Sequence, residues 1–395
     1  MWTVITMKLD AAQTEAVNHA CASRFSLITG GAGTGKTTII DNITKRLESN
    51  GESVALAAFA GKAAARVREA CNHPASTIHR MLGYNGKQYM TDTLSDKSVV
   101  LDESSMIDSS LMSEIVKREP RRLVLVGDQA QLPPVGRAQP FHDLISLRPE
   151  LVCNLRRCYR ATEAVFKAAT QIRNGERPPE FAVSDGEKWT MTNTGGPAQT
   201  QKKILEWVES GSFDFEQDII LTSRNGESDA DPCTVRGLNK AITDIIAPRD
   251  EGVKFVAGNR VMNTKNLPDI DCWNGTTGTV HAVDQDGGVW VTLDVDAVIG
   301  GRKTSKVLFV KDRVKHLQLA YAITTHKSQG SQYRNVMLVG FWKDTHCLLD
   351  RALLYTAVTR TRKACCVVGE LGAIYAAIGK QNHKNTVMQQ LAAMK

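Results

Sequence analysis

The chain has 395 residues, more than one compact core usually accommodates, so two or more domains are expected. Hydrophobic residues make up 42% and charged residues 23%, which excludes a disordered or fibrous chain, and no apolar stretch approaches the ~18 residues of a spanning helix. The 49 Lys and Arg against 42 Asp and Glu leave a net charge of +7, which permits a polyanionic partner without requiring one.

The first residues, MWTVITMKLDAAQ, lack a basic start followed by an apolar run, so no secretory leader is expected. From Leu27 the run SLITG leads into a glycine-rich turn and a helix through Arg46. SVALAAF leads into GKAAARVREA, and SVVLDE and RRLVLVGD are further short apolar runs. Such runs separated by helix-length segments predict buried parallel strands in βαβ units, enough in residues 27–147 for one α/β domain. A second set begins near Leu151, includes DIILTS, and ends with RNVMLVGF, the helical LLDRALLYTAVTRTR and ACCVVGE. Between its parts, residues 252–312 alternate short strands with Gly- and Asp-rich turns, the texture of a small inserted antiparallel barrel. Residues 174–200, rich in Pro, Gly and Thr, read as a loop or irregular connection. The nine cysteines are odd in number and contain no CxxC pair, so they are expected to be small buried residues in a reducing cytosol.

The strongest local signal is Gly30-Gly31-Ala32-Gly33-Thr34-Gly35-Lys36-Thr37-Thr38, which fits GxxxxGK[ST] between a strand and a helix. Glycines let successive N–H groups turn inward on phosphate oxygens, and the helix N-terminus adds its positive end. Lys36 is then expected to reach the β/γ-phosphates of ATP and Thr37 to hold Mg²⁺. The run Val99-Val100-Leu101-Asp102-Glu103 supplies the partner acids: Asp102 for Mg²⁺, and Glu103 to orient and deprotonate the attacking water. Gln129, after the strand ending Gly127-Asp128, is placed to sense the γ-phosphate. Taken alone, a strand ending in two acids or a GDxxQLPP turn is ordinary surface chemistry; together with the loop they make ATP hydrolysis the leading chemistry.

With these residues in view the chain resembles the superfamily-1B DNA helicases, in particular the RecD-like group. The resemblance rests on an ordered series of motifs over nearly the whole chain. Leu9-Asp10-x-x-Gln13 is similar to the family's adenine-reading glutamine, and Gly61-Lys62-Ala63-Ala64 and Thr77-Ile78-His79-Arg80 resemble segments that grip single-stranded DNA. Asp102-Glu103-Ser104-Ser105-Met106 and Gly127-Asp128-Gln129-Ala130-Gln131-Leu132-Pro133 match the second and third motifs. In the second half, Leu155-Arg156-Arg157-Cys158-Tyr159-Arg160, Asn274-Gly275-Thr276-Thr277-Gly278, the run Ala320–Ser331 and Leu354-Tyr355-Thr356-Ala357-Val358-Thr359-Arg360 continue the series.

The resemblance implies an α/β fold with two RecA-like P-loop motor domains, a short β-hairpin pin inserted in the first and a small SH3-like β-barrel inserted in the second. The implied boundaries are 1–150 with a pin at about 83–97, 151–251, 252–315 for the barrel, and 316–395. It implies a motor that moves 5′ to 3′ on single-stranded DNA and unwinds tailed or forked duplex, using ATP and Mg²⁺. Nucleotide contacts would come from Gln13, Gly31, Ala32, Gly33, Thr34, Gly35, Lys36, Thr37, Thr38 and Gln332, and the phosphate-facing arginines would be Arg160 and Arg360. The expected DNA contacts are Phe59, Lys62, His79, Arg80, Tyr84, Tyr89, Asn274, Thr325, His326 and Lys327. Outside such motifs each would read as a core or surface residue. Three departures stand out: Ala58-Phe59-Ala60 replaces the family's usual Ala-Pro-Thr, Ala161 follows Arg160 where Gln is usual, and Gln332 stands where Glu is frequent. The expected setting is a monomer in the cytoplasm of a bacterium or a phage-infected bacterium. It would serve replication, recombination or repair, with proteins of replication or recombination as partners, and would have no membrane partner. The competing readings are an RNA helicase and an ATP-switched single-strand-binding subunit.

Overall fold

Short apolar runs followed by helix-length segments pair in parallel, because the helix carries the chain back across the sheet before the next strand. The computed structural model describes residues 9–380 apart from 137, 160–162, 185, 251 and 346–347. Within these, the chain divides into two units, residues 9–59 with 63–159 and residues 60–62 with 163–380.

In the first unit the strands are β1 (Phe25–Gly30), β2 (Ser53–Ala58), β3 (Ala75–Thr77), β4 (Lys97–Asp102), β5 (Arg122–Gly127) and β6 (Val152–Leu155). They form one sheet in the order β3-β2-β4-β5-β1-β6, with every pairing parallel. The helices are α1 (Ala11–Ala22), α2 (Lys36–Ser49), α3 (Gly61–Cys71), α4 (Ile78–Met81), α5 (Ser109–Val116) and α6 (Pro140–Leu147). Both sheet faces are covered, and β4 shows why its run is continuously apolar. Val100 packs with Ile39, Ile43 and Leu47 of α2 and Ala16 and Ala20 of α1, while Val99 and Leu101 pack with Leu111 and Ile115 of α5 and Phe141 of α6. The order sets the carboxyl ends of β4, β5 and β1 side by side, where open α/β sheets bind ligands.

The second unit begins with α7 (Ala164–Asn174), β7 (Phe181–Ser184), β8 (Glu187–Asn193), α8 (Pro197–Glu209), β9 (Ile219–Thr222) and α9 (Val235–Ile246). Next come β10 (Arg260–Asn263), β11 (Thr277–Val283), β12 (Val289–Ile299), β13 (Arg302–Phe309), α10 (Lys311–Val314) and β14 (Leu317–Leu319). They make a five-stranded antiparallel sheet in the order β13-β12-β11-β10-β14, with a core of its own that includes Val261, Val280, Val291 and Phe309. The chain then resumes with β15 (Ala322–Thr324), β16 (Tyr333–Gly340), α11 (Trp342–Thr345), α12 (Arg351–Val358), β17 (Thr361–Gly369) and α13 (Leu371–Gly379). The main sheet of this unit runs β15-β9-β16-β17-β8-β7 and is parallel except for the β7–β8 pair.

One expectation is corrected here. Residues 174–200 are not a loop: β8 lies in this stretch and pairs in parallel with β17 along Lys188–Asn193, with Trp189 fully buried. The Pro and Gly signals flank a period-2 pattern, EKWTMTN, whose polar outward residues mask the buried Trp189 and Met191. The eight described cysteines are free thiols, and no helix among the described residues is long and apolar enough to cross a membrane.

Candidate nucleotide site and single-strand contacts

The loop after β1 curls because Gly33 and Gly35 take φ of 74° and 83°, the left-handed region that glycine enters without a Cβ penalty. It is also packed to the limit: a Cβ on Gly35 would lie 2.5 Å from the Gln13 amide nitrogen. Thr34 Oγ1 donates to the Gly31 carbonyl at 2.8 Å, and Lys36 Nζ arches back to donate to the Gly30 and Gly31 carbonyls at 2.8 and 3.0 Å. The N-termini of α1 and α5 are capped by the side chains of Asp10 and Asp108, but α2 follows Gly35 and has no side-chain cap. No side chain therefore competes for its first-turn N–H groups, which suits this end to an anion. Thr37 and Thr38 lie half-buried in that first turn.

Gln13 is buried and closes a capping box with Asp10, its Oε1 accepting from Asp10 N at 3.1 Å, while its Nε2 donates to the Thr34 carbonyl at 3.2 Å. It thus ties α1 to the phosphate loop. Residues 158–159 do the same from the other side. Tyr159 N donates to the Gly33 carbonyl at 3.0 Å, its hydroxyl to Asp10 Oδ2 at 2.7 Å, and Cys158 Sγ reaches the Ala32 carbonyl at 3.5 Å. Asp10, Cys158 and Tyr159 stand inside the sequence motifs, but nothing in their spacing marks them as ties to the phosphate loop.

At the end of β4, Asp102 and Glu103 are 3% and 4% exposed, so their charges are withdrawn from water. Glu103 adopts φ 53°, a left-handed conformation that costs a non-glycine residue about 1–3 kcal/mol and persists only when its surroundings enforce it. Its backbone N–H donates to Asp102 Oδ1 at 2.9 Å. Burial, then the adjacent Glu103 charge, push the Asp102 carboxyl up, with Arg66 and Lys36 pulling the other way. Arg66 of α3 supplies the countercharge, with Nη2 at 3.7 Å from Asp102 and 3.4 Å from Glu103. Burial opposes its charge, but the two carboxylates outweigh burial and hold Arg66 above its ordinary value. Arg66 was not singled out in the sequence; the only available signal was its position one helical turn beyond Lys62 in GKAAAR.

Past β5, Gln129 is exposed, whereas Gln131 is 4% exposed and its Oε1 has no hydrogen-bond partner among the described residues. Arg160 lies outside the described residues. Arg360 is 3% exposed in the second unit, its guanidinium donating to the Thr356 carbonyl at 3.0 Å, the Ser331 carbonyl at 3.4 Å and Thr359 Oγ1 at 3.2 Å. Gln332 is half-buried beside it in sequence, before β16.

Four of the expected DNA contacts converge in the first unit. His79 lies edge-on to Phe59 at 6.4 Å and to Tyr84 at 5.6 Å, with Tyr89 at 6.1 Å, and the two tyrosines are 5.0 Å apart. Burial holds the His79 imidazole below its ordinary pKa, against a smaller opposing pull from Asp108. Arg80, next to it, is exposed. Between the tyrosines the expected hairpin is a tight turn closed by a single antiparallel bridge, Tyr84 to Tyr89. Asn85 Oδ1 accepts from Lys87 N and Gln88 N at 3.0 Å each, and Gly86 takes φ 98°. In the second unit, Thr325, His326 and Lys327 follow β15; Thr325 is fully buried, and Lys327 Nζ donates to Gln318 Oε1 at 3.2 Å. Asn274 is exposed ahead of β11, and Lys62 reaches Asp294 at 3.4 Å and lies 5.6 Å over the Tyr333 ring.

Residues 8–193 match the family model described as an AAA domain, and residues 319–368 match a UvrD-like helicase C-terminal domain. The RecBCD enzyme subunit RecD of Mycobacterium tuberculosis is 30% identical over 421 residues, covering 93% of this chain and 71% of that protein. The chain belongs to the RecD-like superfamily-1B helicases. Another relative of this RecD-like chain, the ATP-dependent RecD2 DNA helicase of Deinococcus radiodurans, is 31% identical over 394 residues, or 96% of the chain. The chain spans about half, 52%, of that relative's length. Among solved structures, the Pif1 helicase from Candida albicans superposes with a TM-score of 0.56 at 18% identity, covering 98% of this chain and all of that one. That likeness is one of fold, two RecA-like α/β units built on largely parallel sheets.

Proposed function

We infer that the chain is an ATP-dependent DNA helicase that moves 5′ to 3′ on single-stranded DNA and unwinds duplex. The observation that carries this reading is that the uncapped α2 terminus and Lys36 stand at the same end of the sheet as the buried Asp102–Glu103 pair, with only β5 between their strands. Such a site fits a nucleoside triphosphate: loop amides and Lys36 for the phosphates, and two acids for a hydrated divalent ion and a water. Thr37 and Asp102 would hold Mg²⁺, which when bound neutralises charge between the phosphates. Glu103, held by its strained backbone, would orient the attacking water and take its proton. Burial at the tip of β5 favours Gln131 over the exposed Gln129 as the γ-phosphate sensor. Arg360 would have to leave the carbonyls that now hold it to meet a phosphate.

DNA is favoured over RNA by the name of the Deinococcus relative, a DNA helicase. In the first unit the Phe59–His79–Tyr84–Tyr89 cluster supplies aromatic faces suited to unstacked bases. The Tyr84–Tyr89 turn is read as the strand-separating pin and the five-stranded antiparallel sheet as an SH3-like insertion. Matched duplexes with 5′ or 3′ single-stranded tails test the whole reading. Unwinding of the 5′-tailed substrate alone is expected, and it should vanish with ATPase in Lys36→Ala and Glu103→Ala while both variants stay folded. ATPase stimulated better by poly-U than by poly-dT would replace the DNA reading with an RNA one, and ATPase without unwinding would favour a switched binding subunit.

A further inference from the structure

A turn closed by one bridge is a poor wedge, because an isolated pair of strands is at best marginally stable in water. The turn at residues 84–89 leaves Asn85, Gly86, Lys87 and Gln88 exposed, with Met90 55% exposed beside them. Beyond its own short-range hydrogen bonds, it is braced by a side chain from another element. Arg118, just past α5, is 8% exposed and donates through Nε to the Thr91 carbonyl at 2.5 Å and through Nη2 to the Tyr89 carbonyl at 3.4 Å. Its guanidinium lies 5.6 Å over the Tyr89 ring. The other edge of the fork is held by Glu114, whose carbonyl and Oε2 accept from Nη1 at 2.5 and 2.9 Å. The Arg118 carbonyl in turn accepts from Leu94 N at 2.7 Å and from Thr93 Oγ1 at 3.4 Å. The return arm is also tied to the outgoing arm, by Met90 N to the Gly83 carbonyl at 3.2 Å and by Thr91 N and Oγ1 to the Leu82 and Met81 carbonyls at 3.1 Å each, and Arg118 takes up the Tyr89 and Thr91 carbonyls from the other side. A planar five-donor fork loses little entropy in making several bonds at once, and carbonyls on an irregular arm have no ladder to satisfy them otherwise.

We propose that Arg118 is a positioning residue for strand separation: it stiffens the Tyr84–Tyr89 turn so that stepping along one strand is transmitted as force on the duplex junction. This rests on the reading of the chain as a helicase whose pin is that turn. The bonds of the Arg118 guanidinium go to Tyr89, Thr91 and Glu114 and not to the phosphate loop, so its loss separates two activities that a general structural role would move together.

The test uses the full chain with Arg118→Leu, and with Arg118→Lys, which keeps stem and charge but loses the fork. Poly-dT-stimulated ATPase, unwinding of a 5′-tailed duplex and hydrogen exchange at residues 83–91 are read in parallel. Amide exchange there should quicken by about tenfold or more in Arg118→Leu with the β4 and β5 amides unchanged, unwinding should fall by a similar factor, and ATPase should stay within about twofold. Arg118→Lys should lie between. A chain lacking residues 85–88 tests the underlying reading: if it unwinds as well as the parent, the turn is not the pin and the helicase-pin reading fails on its own. If that deletion stops unwinding while Arg118→Leu loosens the turn and still unwinds at the parental rate, the inference about Arg118 is wrong. Equal loss of ATPase and unwinding in both Arg118 variants also overturns it.

Discussion

Arg66→Met probes the countercharge of the acidic pair. The Arg66 side chain is 30% exposed, against 4% and 5% for Asp102 and Glu103, so the pair is neither a surface bridge nor fully buried. At the observed 3.4–3.7 Å each attraction is roughly 4–5 kcal/mol at an effective dielectric of about 20, much of it offset by desolvation. Exposed bridges contribute about 0–1 kcal/mol, and stripping one partner from a buried pair costs about 3–5. An intermediate loss of about 2–3 kcal/mol is therefore expected for the first unit. Hydrogen exchange of the β4 amides reads it directly, as protection reduced by about 30- to 150-fold where opening is cooperative. Adding Glu103→Gln to Arg66→Met should restore about 1 kcal/mol or more, because a single carboxylate then remains unpaired. A loss under about 0.5 kcal/mol, or no recovery in the double variant, would show that Arg66 is not the countercharge of this pair.

Glu187, 4% exposed at the start of β8, accepts from Val165 N at 2.8 Å. Burial first and the neighbouring Glu163 carboxyl second push it from 4.5 up to about 7. A raised carboxyl favours the protonated folded state, so its stabilisation is complete below about 4.5 and is lost as pH rises through about 7. Glu187→Gln should match the parent's unfolding free energy at about pH 4 and exceed it at about pH 8.5, by up to about 3 kcal/mol, and parallel pH profiles would contradict this. Gly35→Ala forces both a left-handed alanine and a Cβ 2.5 Å from Gln13 Nε2, so nucleotide affinity should fall by tenfold or more. A fluorescent ADP analogue bound at parental affinity would show that the loop relaxes without cost.

The phosphate loop was legible because its chemistry is local: strand, glycines, lysine and helix lie within one short run, and only glycine suits the positive φ at Gly33 and Gly35. Asp102 and Glu103 were legible for the same reason, as the end of an apolar strand. The strand β8 was hidden because only two of its seven residues, Trp189 and Met191, are buried apolar ones, and only pairing with β17 makes it part of a core. Neither could spacing choose between Gln129 and Gln131, since the backbone path past β5 exposes one and buries the other.

Composition and motif order determined that this chain carries a P-loop α/β architecture, because backbone hydrogen bonding and phosphate cradles are written in consecutive residues. The tertiary structure alone decided which charges are spent inside it. Nothing in the sequence around Arg66 or Arg118 marks either as a buried charge. Each is partly or wholly buried because carboxylates or carbonyls 27 to 37 residues away need a donor that water no longer provides.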